Sequence, residues 1–260
     1  MNAGTRLNNI FASAIGQKGG ISTAEMWSNV FGLTGAAELQ SQVGPCLLAL
    51  NSEIDATRAW LVAKGATSPM LEPCFQRLKQ ATELARLGSA WKDFQGNLQS
   101  PEVRCTLAWV AWAMPDQEDP IAVEALQAML ADIAALEEHA SAKDVSPFIR
   151  ELALQTARTL RAGLAAYSVQ GVAAIGEAMQ KVAGSVVLQG AIIEAEATSA
   201  TPETRTVLQR MKEAVKRIGD AADTADKWRK RGEAVLSVYG KAVELVDKYV
   251  VPLLGGPGGG

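Results

Sequence analysis

Few side chains in this sequence are of the types that do covalent or metal chemistry, and their spacing suits neither. The imidazole and thiol stock is one histidine, His139, and three cysteines, Cys46, Cys74 and Cys105. Together they could supply a Cys₃His zinc set, but zinc sites take close pairs of ligands from one turn, which lowers the ordering cost. Here successive candidates stand 28, 31 and 34 residues apart, one per predicted helix. They read instead as core thiols and a surface histidine. Glu137-Glu138-His139 lacks the i, i+3 Glu-x-x-His spacing of di-iron bundles. There is no G-x-S-x-G elbow, no H-E-x-x-H, and no G-x-G-x-x-G between a strand and a helix. Gly16-Gln17-Lys18-Gly19-Gly20-Ile21-Ser22-Thr23 resembles a phosphate loop only superficially. Its lysine precedes the glycines and no strand precedes the lysine, so it reads as a helix stop followed by a cap. No catalytic residue, metal or cofactor is assigned on this basis.

Binding chemistry is better represented. Residues 205–231 hold nine bases against four acids, a net of +5, and Lys227-Trp228-Arg229-Lys230-Arg231 sets an indole among contiguous cations. With Arg210, these are the candidate partner-binding residues. Cations with a stacking aromatic also suit nucleic acid, but the pI of about 5.4 and the lack of a nucleic-acid motif disfavour it. Residues 116–144 carry eight acids against Lys143, a net of −7. The two blocks are expected to be solvated faces that oppose each other, or surfaces for a protein partner or another copy of the chain.

Residues 162–193 form the other unusual segment. Their only charges are Glu177 and Lys181, and they contain five glycines. Glycine weakens a helix, so its density asks for close helix packing. Val172, Ile175, Met179, Val182, Val186 and Ile193 recur at steps of three, four and seven. They form either the inner stripe of a tightly packed hairpin or a segment that enters a membrane on activation.

The elements that must position these residues are helices. Five times a capping residue precedes proline: Ser68-Pro69, Ser100-Pro101, Asp119-Pro120, Ser146-Pro147 and Thr201-Pro202. A cap oxygen satisfies an orphan N–H and proline at the next position needs none, so each pair predicts a helix start. Ser22 with Glu25 predicts another. A helix from Thr34 can kink or split at Gly44-Pro45, and one from Pro69 is expected to reach Leu87. Pro101–Met114 reads as apolar nearly all round and therefore as a central buried helix, with a Trp-rich core about Trp109 and Trp112. A final helix is expected from about Asp220 to Tyr249, before a glycine tail.

With 260 residues, 48 % apolar and 20 % charged, the chain is too apolar for wholesale disorder and long enough for a core without staples. The longest charge-free stretch, 15 residues, is short of a membrane span, and no signal peptide is visible, so a cytoplasmic location is expected. The fold class is all-α: an irregular multi-helix bundle of nine to eleven helices with a long C-terminal helix. Its regions are 1–118, a central hairpin region 119–200, and the basic helices and tail at 201–260, in one compact domain or two subdomains. The favoured function is a non-enzymatic helical interaction protein, an adaptor, regulatory or accessory subunit acting through its charge-polarised surface. The alternatives are a membrane-active effector of the bacterial toxin or antiphage type, releasing the glycine-rich hairpin, and nucleic-acid binding through the C-terminal basic helix. An enzyme is placed last.

Overall fold

The computed structural model describes residues 1–33, 36–198, 200–225 and 243–245. The protein is all-α. Its helices are α1 (Ala3–Ile15), α2 (Thr23–Phe31), α3 (Ala36–Ala63), α4 (Ser68–Ala81), α5 (Lys92–Leu98), α6 (Pro101–Ala113), α7 (Val123–Ala140), α8 (Pro147–Gln170), α9 (Val172–Thr198) and α10 (Pro202–Ala225). A 3₁₀ turn at Leu84–Arg86 precedes α5, and no strand occurs among the described residues. The chain divides into two units, Met1–Gln117 with Ala165–Gly171, and Glu118–Leu164 with Val172–Gly260.

The first unit is built around indoles. Trp27 of α2 lies stacked against Phe31 at 5.4 Å, edge-on to Phe11 at 5.9 Å and edge-on to Trp91 at 6.0 Å. Both indoles are fully buried, so each N–H needs an acceptor inside. Trp27 Nε1 donates to the Ala81 carbonyl at 2.9 Å, and Trp91 Nε1 to that of Ala14 at 3.0 Å. Those carbonyls lie in the last turns of α4 and α1, where the i→i−4 ladder runs out; that of Ala14 also accepts the Gln17 N–H at 3.1 Å. The aromatic core is thus Trp27 and Trp91, not the expected Trp109 and Trp112. Within α6 the inward stripe is Val103, Leu107 and Val110, and both of its tryptophans lie on the opposite face. The helix is amphipathic rather than buried all round.

Several helix boundaries follow the predicted chemistry. The Ser22 hydroxyl accepts from the Glu25 N–H at 3.2 Å, and α2 ends at Gly32 with φ +66°. Helix α8 begins at Pro147 as expected, although the buried Ser146 hydroxyl makes no cap bond, and the Thr201 hydroxyl accepts from the Thr204 N–H ahead of α10. Others differ. α3 runs unbroken through Pro45; its expected start at Thr34 lies outside the described residues. α4 stops at Ala81: Thr82 leaves the helical backbone at φ −104° and ψ 8°, with its N–H donating to the Lys79 carbonyl. Asp119-Pro120 starts no helix. The Asp119 N–H is committed to the Ala225 carbonyl at 2.8 Å, and α7 begins only at Val123. α10 continues through Gly219, which lies on its buried stripe, so no break separates Ile218 from Asp220. The rest of the expected C-terminal helix falls outside the described residues, apart from a helical stretch at 243–245.

In the second unit, α10 carries a buried stripe of Val207, Leu208, Met211, Val215 and Ile218, and packs against α7 and α9. Gly163 shows why glycine is used where α8 meets α9. A Cβ at this position would lie 2.6 Å from the Ala178 Cβ and 3.2 Å from the Ala174 carbonyl oxygen. Gly184 faces open space instead, with nothing within 4 Å of its added Cβ. Gly163→Ala is therefore expected to destabilise, because overpacking costs about 1–3 kcal/mol against a propensity gain of about 1. Gly184→Ala is expected to stabilise by about 0.5–1 kcal/mol. Urea unfolding of both variants gives opposite shifts in midpoint; equal shifts would show that the close approach at Gly163 carries no energetic weight.

Candidate functional site

The structure scatters the residues that could do chemistry. Cys46 on α3 and Cys74 on α4 are buried, and burial pushes each thiol up to about 11, far from a reactive thiolate. A contact from the Thr106 hydroxyl and the charge of Arg77 offset part of that rise at Cys74. Cys105 on α6 is exposed, which corrects the reading of three core thiols. His139 belongs to the second unit, and its Nδ1 lies 2.7 Å from the Ala135 carbonyl one turn earlier, so it is half-buried against its own helix rather than free on the surface. No group of three or more potential metal ligands occurs among the described residues. The glycine-lysine turn after α1 is clamped by Gln95, whose side-chain amide donates to the Ile15 and Gln17 carbonyls at 2.8 and 2.9 Å.

The charged blocks meet partly inside the chain. α10 packs on α7, and Arg217 Nε lies 3.0 Å from the Asp132 carboxylate. Arg161 takes Glu137 at 2.6 Å. Arg210 pairs with Glu213 on its own helix at 3.3 Å, an exposed contact worth about 0.3–0.5 kcal/mol. The Glu118 carboxylate is only 2 % exposed and accepts the Val172 N–H at 2.6 Å, at the positive end of α9. Lys227, Trp228, Arg229, Lys230 and Arg231 lie outside the described residues.

Val172, Ile175, Met179, Val182, Val186 and Ile193 are all buried, as the inner stripe of α9. Its outer side leaves Val187, Leu188 and Ile192 exposed. No described helix is long and apolar enough to cross a membrane.

Two surface features lie on the first unit. One is a groove of about 420 Å³ between α3 and α4, lined by Ile54, Asp55, Arg58, Glu72, Phe75, Gln76, Lys79 and Gln80. Its charges are spent on each other, as Arg58 with Glu72 and Lys79 with Asp55. The other is the outer ridge of α6. Trp112 is 82 % exposed and Trp109 49 %. Arg77 of α4 reaches the Ser100 hydroxyl and the Glu102 carboxylate, and Cys74 meets Thr106, so α4 and α6 run antiparallel. Positions 70, 74 and 77 form one stripe and 102, 106 and 109 another, at i, i+4, i+7. This register brings Met70, 73 % exposed, level with Trp109. The sequence reading missed this surface by counting the tryptophans as core. The signal was present: Val103, Leu107, Val110 and Met114 already make a complete inner stripe, which puts 109 and 112 outside.

Against this geometry, the chain matches no family model, no curated protein and no solved structure.

The thiol environments make a direct prediction. At pH 8 the native protein is expected to present one fast-reacting thiol to a chromogenic disulfide reagent, with the other two released on unfolding. Cys105→Ser removes the fast phase; a fast phase of two or three thiols would contradict the burial of Cys46 and Cys74.

Proposed function

We propose that this chain is a non-enzymatic helical interaction protein, an adaptor, regulatory or accessory subunit. The observation that carries the reading is the ridge of α6, where Trp109 and Trp112 are exposed, with Met70 exposed on α4. A tryptophan buries roughly 150–250 Å² when covered, so the two indoles leave on the order of 200–300 Å² of mostly apolar surface hydrated. Covering it returns about 5–8 kcal/mol of transfer free energy, before the costs of association. Contiguous exposed apolar surface of this kind is characteristic of contact sites, and tryptophan is enriched among the residues that dominate them. The internal pairing of Arg217 with Asp132 and of Arg161 with Glu137 supports giving the aromatic ridge the leading part. The basic cluster Lys227–Arg231, with Arg210, is the electrostatic part of the same reading.

The test is affinity capture of the tagged full-length chain from its own cells, for wild type, Trp109→Ser/Trp112→Ser, and a charge reversal of Lys227, Arg229, Lys230 and Arg231. Wild type is expected to retain a stoichiometric protein partner, either another copy or a different protein. The double tryptophan variant should lose it at least tenfold while its unfolding midpoint stays unchanged. Loss only in the charge reversal would move the contact to the basic cluster. Equal retention by all three proteins, or no stoichiometric partner, would remove the reading.

A further inference from the structure

The outer face of α9 changes character along its length. Its first turns expose Glu177, Gln180 and Lys181. From Gly184 onward the exposed residues are apolar or small: Val187, Leu188, Ala191, Ile192 and Ala195, with Leu188 87 % exposed. Only Glu194, on the flank, returns charge to it.

The chain itself holds a counterpart. Residues 239–250 comprise seven apolar residues, from Tyr239 to Val250, and five others, Gly240, Lys241, Glu244, Asp247 and Lys248. At about 100° per residue the seven fall in one half of a helical wheel and the five in the other. The described turn at 243–245 is helical and obeys that division. Glu244 is exposed, while Val243 and Leu245, at the two edges of the apolar half, are half-buried. A short amphipathic helix is marginal alone in water and draws its stability from packing its apolar face.

The end of α10 sets where this segment starts from. α10 packs on α9. The Ala225 carbonyl accepts the Asp119 N–H at 2.8 Å, and the adjacent Glu118 carboxylate accepts the Val172 N–H at 2.6 Å. The chain therefore leaves α10 level with the first residue of α9.

We infer that the outer face of α9 is the docking site of this chain's own segment 239–250, laid parallel to α9 with Ala242 on Gly184, Val246 on Leu188 and Val250 on Ile192. The thirteen residues 226–238 have to rise from the level of position 172 to that of 181, about 14 Å at about 1.5 Å per residue. That is well within their reach of about 3.3 Å each. A Cβ at Gly184 would meet nothing within 4 Å, so Ala242 can approach closely there. Of the charges on this face, Glu177 lies before the contact and Glu194 beyond it. Lys181 lies at its edge, level with Tyr239, whose ring suits a cation.

Area selects this occupant over a separate molecule. The apolar stretch from 184 to 195 is about 18 Å long and about 10 Å broad, on the order of 200 Å². A separate partner needs roughly 800 Å² on its side of a standard interface. A short tether instead holds the segment at an effective concentration in the millimolar range, where so small a contact is filled. The contact is internal to the chain and stands or falls apart from the α6 ridge.

The experiment uses the full chain with Cys105→Ser, so that an added thiol is read against the buried Cys46 and Cys74. Leu188→Cys is expected to react with a maleimide at least tenfold more slowly than Cys105 does in the wild type, and to regain that rate when Val246→Asp is added. Leu188→Cys with Val246→Cys should close a disulfide within one chain on oxidation with diamide at micromolar protein. Leu188→Cys with Glu244→Cys, on the opposite side of the wheel, should not. Fast labelling of Leu188→Cys in the full chain overturns the inference. So does equal closure of the two pairs, which would show that no face is selected. Disulfides formed between chains, or protection that grows with protein concentration, would assign the face to a second copy and overturn it as well.

Discussion

An α-helix leaves its last four carbonyls without helical donors, and a protein with ten helices from α1 to α10 among its described residues, and no described strand, must satisfy many such ends away from water. Here the donors are repeatedly side chains from elsewhere in the sequence. The indoles of Trp91 and Trp27 close α1 and α4, and the Gln95 amide adds to α1. The Arg150 guanidinium donates to the Ala140 and Ala142 carbonyls at 3.1 and 2.8 Å, closing α7. The most demanding case is Arg6. It is 5 % exposed, its Nε donates to the Val169 carbonyl at 2.8 Å in the last turn of α8, and it pairs with Glu53 at 3.1 Å. A cation at a helix C-terminus is favoured by the macrodipole, and removing one member of a buried pair costs about 3–5 kcal/mol. That contact, with the burial of Val169 in the same core, ties residues 165–171 to the first unit.

The same economy governs the acidic and basic blocks. Their sequence charges of −7 and +5 suggest two faces turned outward, but several of these side chains act within the fold. Glu118 closes the start of α9, Asp132 meets Arg217, and Glu137 meets Arg161. Formal charge along the chain therefore overstates the charge available to a partner. The apolar ridge of α6 is the reverse case, a surface that charge patterning does not register.

Much of the fold was legible because helix starts and inner stripes are local. Ser22 with Glu25, Ser146-Pro147 and Thr201-Pro202 mark starts that the backbone obeys, and the periodicity of Val172 to Ile193 gives the buried face of α9. What was not legible depends on distant partners. Asp119-Pro120 has the chemistry of a helix start, yet its N–H goes to Ala225, more than a hundred residues on. The burial of Trp91 needs the Ala14 carbonyl at the end of α1, which no window around position 91 contains. The exposed ridge of α6 was missed for a related reason. Treating tryptophan as core by type hid the fact that α6 already had a full inner stripe without it.

The division of α8 has a consequence for the order of synthesis. The first unit takes its final piece, residues 165–171, from a part of the chain made about 50 residues after Gln117. At roughly 5–20 residues per second, the N-terminal helices wait for seconds with the Arg6 guanidinium lacking the Val169 carbonyl it will hold. Neither unit is a continuous stretch of chain, so a cut after Gln117 yields a fragment in which the buried Arg6 lacks the Val169 carbonyl and the core lacks Val169. Separate expression of the two halves therefore meets an obstacle set by connectivity itself.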